Sequence, residues 1–406
     1  MKYFQRVSCI GYLLLFSTVI VSGQSLEPVF QYSQLDPLHG NVSVADINGD
    51  GMNDIVRLST LRMETSQKNL TWFQYQKPGT FQKHTVLAGE PFIGNRLAAG
   101  DLDNDGDIDF AAGIQGAQTR LIWLENPLPD NDPGVKDSWI IHEMNPWQGE
   151  LKDMMLVDFN NDGKPDVVAR SLDFTIVYIQ ESPTHWRALP TLHHPGHEGM
   201  DVGDLDQDGD PDIVLNGFWY ETPDDLGSGS FRYHIIDKKW FNQTEGSWRD
   251  NNCSVKVADV TGDGGPDILL SHSEKPGYPI SLYTASSAGK VRSDHWRETH
   301  LTETFDFCQT LDAADVDQDG DLDILAAKFR RNPDEGEQWM NEPPFPVILF
   351  INDGGEGTEW SELRVSDAGL YAGVFGDVGS DGDQDILGSR SYWIGPIQLW
   401  ENLLSH

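Results

Sequence analysis

Seven short runs that alternate apolar and polar residues, VSVAD, LAAGD, MMLVD, MDVGD, VKVAD, LDAAD and GVFGD, each end on an aspartate. A tight acidic segment follows each of them and leads into a second apolar run of DIV, DFA or DIL type. A third run appears as LTWFQY, RLIWLEN, FTIVYIQ, GFWYE, ISLYT, VILFIN or IQLWEN, and a fourth as WIIHEM, FRYHIID, WRETHL or WSELRV. Runs of this length and period read as strands, and no segment sustains a helical period. Each unit therefore predicts a four-stranded antiparallel meander, and seven units predict an all-β fold, a seven-bladed β-propeller. The residue before each first aspartate is Ala45, Gly100, Val157, Gly203, Ala258, Ala314 or Gly376, small in all but one case, as strands crowding a central axis require. The last unit ends after its third strand, Ile397 to Asn402, and a β-like segment, Pro28 to Ser33, precedes the first unit. The N-terminal strand is thus expected to complete the seventh blade, which removes the open edge.

The acidic segment between first and second strands is a nonapeptide, Asp-x-(Asp/Asn)-x-Asp-Gly-x-x-Asp, that begins at Asp46, Asp101, Asp158, Asp204, Asp259, Asp315 and Asp377. These starts lie 46 to 62 residues apart, so the repeats consume the chain from residue 24 to 406 as one domain. Hard divalent cations take several oxygens, and carboxylates at positions one, three, five and nine, with a main-chain carbonyl at seven, can wrap one ion if glycine at six permits the turn. The expected ligands are Asp46, Asn48, Asp50 and Asp54 in loop 1, and Asp101, Asp103, Asp105 and Asp109 in loop 2. Loops 3 and 4 offer Asp158, Asn160, Asp162 and Asp166, and Asp204, Asp206, Asp208 and Asp212. Loop 5 offers Asp259, Thr261, Asp263 and Asp267, loop 6 Asp315, Asp317, Asp319 and Asp323, and loop 7 only Asp377, Asp381 and Asp385, because Gly379 stands at its third position. Up to seven structural calcium ions are expected, with the fifth and seventh sites weaker. Helix-loop-helix calcium loops would need Glu at the twelfth position, where the chain has Arg57, Ala112, Ala169, Leu215, Leu270, Ala326 and Gly388.

Composition enters here because it bounds the partners. The chain carries 65 Asp and Glu against 28 Lys and Arg, a formal charge of −37, which makes nucleic acid and anionic membranes poor partners. Its 13 Trp, 18 Phe and 11 Tyr exclude a disordered chain. Residues 1–23 read as a signal peptide, with Lys2 and Arg6 before an apolar run, Ile10 to Val21, too short to span a bilayer, so an exported, periplasmic or extracellular protein is expected. No later stretch is long enough for membrane insertion. Cys253 and Cys308 remain beyond the signal and stand before the strands of adjacent blades, either as a disulfide or as two thiols.

The nonapeptides resemble the FG-GAP repeats of integrin α-chains and the bacterial VCBS repeats, a resemblance that implies the propeller and its calcium and says nothing about activity. The segments HEGMDVGDLDQDGDPDIVLNGFWYE, from His197, and SHSEKPGYPISLY, from Ser271, are similar to the propeller of aldos-2-ulose dehydratases and to rhamnose-glucuronate lyases. That similarity implies β-elimination from a sugar, with water or a glycoside leaving.

In a meander, the loops leading into first strands and those leaving second strands share the face opposite the ion loops. This gathers His39, Arg96, Lys152, His197, Glu198, Gln309 and Tyr371 with Arg57, Arg170, Asn216, Trp219, His272, Lys275, Lys328, Arg330, Arg390 and Tyr392 at the mouth of the central funnel, which is expected to be basic. Elimination across C4 and C5 of a uronate needs a cation on the carboxylate, a base for the C5 proton and an acid for the leaving group. Arg390, Lys275 or Arg330 are candidates for the first, His197 or His272 for the second, and Tyr371 or Tyr392 for the third, with Trp219 as a stacking platform. The expected partner is an acidic, uronate-containing oligo- or polysaccharide. A noncatalytic glycan- or protein-binding propeller and a glycoside hydrolase are the alternatives.

Overall fold

A computed structural model describes residues 28–59, 69–89, 92–114, 119–195, 198–227, 229–241, 252–285, 296–329, 343–391 and 395–404, with backbone only at 92–96. These residues form seven antiparallel sheets, six of them ordered by sequence from the axis outward. The first strands, Asn41–Ala45, Phe92–Gly100, Asp153–Val157, Asp201–Gly203, Cys253–Ala258, Cys308–Ala314 and Tyr371–Gly376, surround the axis, and that of blade 7 lies against that of blade 1. The expected closure is present: Phe30–Asp36 pairs antiparallel with Ile397–Asn402, with Tyr32 opposite Trp400, and becomes the fourth strand of blade 7. Blade 3 adds a fifth short strand, Leu192–His193, on Phe174–Ser182. A 3-10 turn, Lys238–Trp240, follows blade 4. No helix among the described residues is long and apolar enough to cross a membrane.

The small residues at the ends of the first strands answer to a measured crowding. A Cβ added to Gly100 would stand 2.9 Å from Leu156, one on Gly203 2.5 Å from Val257, and one on Gly376 2.7 Å from Val44, in each case an apolar side chain of the next blade.

Among the described residues seven core clusters stand one at each blade-to-blade interface, and an eighth gathers Phe307, Phe329 and Tyr371. Middle strands face a neighbour on both sides, so their runs are apolar throughout: Leu121, Ile122, Trp123 and Leu124 are all buried. The second residue of each nonapeptide, Ile47, Leu102, Phe159, Leu205, Val260, Val316 or Val378, is also buried and caps these interfaces.

Buried amides clamp successive blades at the same level. Asn126 Nδ2 donates to Ile47 O at 3.0 Å, Gln180 Nε2 to Leu102 O at 2.7 Å, Asn352 Nδ2 to Val260 O at 3.0 Å, and Asn402 Nδ2 to Val316 O at 2.9 Å. Each acceptor belongs to the preceding blade's loop. Because a buried carbonyl that loses its donor retains its desolvation cost, Asn352→Ala is expected to lower stability by about 2 kcal/mol. A denaturant midpoint unchanged in this variant would contradict the clamp.

Candidate cation loops and channel mouth

Each nonapeptide is folded by its own carboxylates. In loop 2 the first aspartate, Asp101, accepts the amides of Asp105 at 3.1 Å and Gly106 at 3.0 Å, and Asp105 accepts that of Asp107 at 3.1 Å. The ninth aspartate is buried and grips two elements at once: Asp109 accepts Leu102 N at 2.9 Å and Asn126 N, at the end of the third strand, at 2.8 Å. The same pair of amides reaches Asp166, Asp212, Asp323 and Asp385. The sixth glycine has φ between 84° and 101° in all seven loops, the left-handed region that favours it. The fourth residue is left-handed too, with φ from 54° to 69°, although it varies among Gly, Asn, Gln and Ser. The sequence did not single out that position, because its shared property is a conformation and not a residue type.

The oxygens left over suit a hard divalent cation. In loops 2, 4 and 6 the first, third and ninth carboxylates, Asp101, Asp103 and Asp109, Asp204, Asp206 and Asp212, and Asp315, Asp317 and Asp323, bring oxygens within 4.8 Å of one another. Asp206 is 9 % exposed and its Oδ1 accepts no hydrogen bond, which leaves that oxygen available to a cation. Loops 1 and 3 place Asn48 and Asn160 at the third position, where each side-chain oxygen accepts the fifth amide as Asp103 does. In loop 5, Thr261 donates its hydroxyl to Asp267 Oδ2 at 2.9 Å, which occupies a ligand oxygen, and Gly379 leaves loop 7 without a third side chain. Burial raises the ninth carboxyls, to about 6 in Asp54, Asp166 and Asp267, about 7 in Asp323, and about 8 in Asp109, Asp212 and Asp385.

The opposite face opens into a central channel of about 430 Å³. Among the mouth residues expected from the sequence, His197, Arg330 and Tyr392 lie outside the described residues, as does the signal segment, and the side chain of Arg96 is not described. His39 is buried beside Arg57, and burial together with that charge lowers its pKa to about 4. Arg57 and Arg170 are wholly buried. Arg57 donates to His39 O, Asn69 and Thr71, and Arg170 donates to Gly199 O and to Asn216 Oδ1. Lys152 sits between Glu150 at 2.9 Å and Glu198 at 2.6 Å; burial opposes its charge, but the two carboxylates outweigh it and raise its pKa. Trp219 has no exposed surface and stacks on His234 with ring centroids 4.3 Å apart, so it packs between strands and presents no face to the funnel. Arg390 Nε donates to Ala368 O at 3.3 Å.

Blades 5 to 7 carry the other candidates. His272 is buried against Tyr278, and its Nδ1 accepts the amide of Glu274 at 3.2 Å. Lys275 O accepts Phe307 N at 3.1 Å, and Lys328 lies over the rings of Phe307 and Phe345, 5.5 and 5.3 Å from their centroids. Tyr371 meets the Phe329 ring at 5.7 Å, and both Tyr371 and Gln309 line the channel or its edge. A recess of about 590 Å³ adjoins this sector, lined by Phe305, Phe307, Lys328, Pro344, Glu362 and Arg364. Cys253 and Cys308 are buried, and no disulfide joins them.

The channel wall differs from the basic funnel expected. Asp153, Glu198, Asp201 and Asp312 line it against Lys256, while the two arginines counted toward its charge are spent inside the protein. Asp201 accepts Val257 N at 2.8 Å and Asp312 accepts Phe375 N at 2.9 Å, so each latches the first strand of the next blade, and Lys256 pairs with Asp312 at 2.8 Å. Their signal in the sequence was the acid three residues before Asp204 and Asp315, in MDVGD and LDAAD.

Fold and loops together define a seven-bladed β-propeller with FG-GAP-like repeats. Residues 46–112 and 158–215 match the FG-GAP-like repeat family. Among curated proteins no sequence matches the chain significantly. Among solved structures it is similar to a lectin of Agrocybe aegerita described for specific recognition of non-reducing terminal N-acetylglucosamine, at 15 % identity and TM-score 0.51, over 88 % of this chain and 93 % of that one. It is also similar to BBS1N in complex with ARL6DN, at 13 % identity and TM-score 0.52 over 93 % and 98 % of the two chains, and in a second crystal at 12 % and 0.55 over 92 % and 97 %. At these identities the likeness is one of fold.

The raised ninth carboxyls set a pH dependence. A carboxyl whose folded pKa lies above its unfolded value binds protons more tightly when folded, so the cation-free protein is expected to lose stability as pH climbs from about 4 through 8. A bound divalent cation compensates the ionised form, so the gap between melting midpoints with cation and with chelator should widen over the same interval. Midpoints in chelator that rise steadily across it would contradict this assignment.

Proposed function

We propose that the chain is an exported, calcium-stapled propeller that takes a uronate-containing saccharide at its channel mouth and cleaves a carbon-oxygen bond by β-elimination. The calcium ions would be held by the loop oxygens named above and would supply rigidity alone, neutralising carboxylates on the face away from the saccharide. The observation that carries the reading is the sector beside an aromatic recess in which Lys275 O bonds Phe307 N, Lys328 lies over the Phe307 ring and Tyr371 meets Phe329. Aromatic rings and polar groups side by side suit a sugar's apolar face and hydroxyls.

Within that sector, Lys275 and Lys328 would receive the uronate carboxylate and stabilise the enolate formed when the C5 proton leaves. The amide of Glu274 donates to His272 Nδ1, so the ring proton resides on Nε2, from which His272 would donate a hydrogen bond to the departing oxygen. Tyr371, which lines the channel, would protonate that oxygen, and His197 would be the base. Glu198 is committed to Lys152, which weakens a hydrolase with paired carboxylates.

One observation favours binding without turnover: the five carboxylates of the channel lining repel an acidic chain that enters deeply. The lectin of the same fold, which recognises a neutral sugar end, supports a glycan as the ligand class for that second reading.

Incubation with a panel of uronate oligosaccharides, followed by ultraviolet absorbance, separates the two. An unsaturated product is expected, with a loss of about 100-fold or more in kcat in His272→Ala and in Tyr371→Phe. Saccharide retained without such a product would support binding alone, and failure to retain any saccharide would sink both.

A further inference from the structure

We propose that the cation loops are coupled in two groups, loops 3, 4 and 5 and loops 6, 7 and 1, by side-chain amides that reach from one blade's loop to the next. The proposal rests on the calcium reading above.

The fourth residue of the nonapeptide is not a ligand, yet in three loops it carries an amide that crosses to the neighbouring blade. Asn161 Nδ2 donates to Gly209 O at 3.4 Å and to Asp210 Oδ1 at 2.9 Å, Gln207 Nε2 to Gly264 O at 3.0 Å, and Gln318 Nε2 to Gly382 O at 3.0 Å. The carbonyl reached is always that of the next loop's sixth glycine. The other end of the same peptide group, the seventh N–H, donates to the fifth aspartate of that loop: Asp210 N to Asp208 at 3.0 Å, Gly265 N to Asp263 at 2.9 Å, and Asp383 N to Asp381 at 3.3 Å. One peptide plane thus joins an amide of one loop to a ligand carboxylate of the next. An ion that fixes the fifth carboxylate fixes that plane, presents its carbonyl to the incoming amide, and holds the preceding loop's fourth residue in the left-handed conformation its own turn requires.

Loop 7 is tied on its other side as well. Asn53 of loop 1 donates through its backbone to Ser380 Oγ at 2.8 Å and through Nδ2 to Asp377 O at 2.9 Å, and its carbonyl accepts Gly379 N at 2.8 Å. The ties stop where the fourth residue has no amide, at Gly49 in loop 1 and Gly262 in loop 5, and Asn104 in loop 2 makes no inter-loop bond among the described residues. The two loops short of a third-position carboxylate or amide, 5 and 7, each receive an amide from a loop with three clustered carboxylates, 4 and 6. Occupied strong loops therefore pre-order the weak ones.

Equilibrium dialysis of chelator-stripped protein against buffered free calcium tests the coupling. The wild-type curve is expected to be steeper than that of independent sites. Gln318→Gly and Gln207→Gly remove the amide while keeping a residue at ease in the left-handed region, and glycine already occupies this position in loops 1 and 5. Each variant should weaken calcium binding of part of the sites by about fivefold or more and flatten the curve, with melting at saturating calcium confirming the fold. Asn104→Gly is the matched control. Curves unchanged in both glutamine variants, or flattened equally in Asn104→Gly, would overturn the coupling while leaving calcium binding intact. Wild-type protein that retains no calcium would overturn the calcium reading and this proposal with it.

Discussion

Every blade depends on one buried carboxylate. The ninth aspartate of each loop is closed off from water, and in most blades one of its oxygens fastens the start of the loop while the other fastens the end of the third strand. A charged group in that position is costly unless hydrogen bonds and counter-charge surround it, and the protein supplies two backbone amides where an ion would supply the rest. The residue whose amide N–H meets the carboxylate also sends its side chain into the preceding blade at Asn126, Gln180, Asn352 and Asn402. Loop shape, blade integrity and blade-to-blade spacing thus share a single anchor, and the acid content of the chain is a structural necessity before it is an electrostatic property.

The architecture was legible in the sequence because it is periodic. Fourfold strand runs repeated with a marked nonapeptide leave little freedom in topology, and the truncated last unit with a spare N-terminal strand indicated how the ring closes. The loops were legible as ligand sets but not as folded objects. Sequence marks Asp109 as a candidate ligand, yet only the structure shows that its oxygens serve Leu102 and Asn126, and the left-handed fourth residue is hidden by its changing identity.

The mouth was far less legible, for a physical reason. It is assembled from loops of different blades, and a cation in such a loop can point to solvent or into the protein. Arg57 and Arg170 took the second course and now brace backbone carbonyls. Trp219, in a strand enclosed on both sides, had no free face to offer. Phe307, Phe329 and Phe345, which give the mouth its aromatic character, are unremarkable in sequence because each lies in a loop flanking a strand and not in a repeating motif.

The pairing of Phe30 with Asn402 joins residues at opposite ends of the chain. Six blades are each made of neighbouring segments and can form as soon as their own strands exist, whereas the seventh has to wait until its last strand is made and then capture one of the first. Until that moment the ring is an open arc with two unsatisfied sheet edges, and the interface between blades 7 and 1, with Val42, Phe73, Leu387 and Leu399, has no inside. Closure therefore converts a set of local contacts into a cooperative whole, and it makes the strands Phe30–Asp36 and Ile397–Asn402, far apart in sequence, guardians of every blade between them.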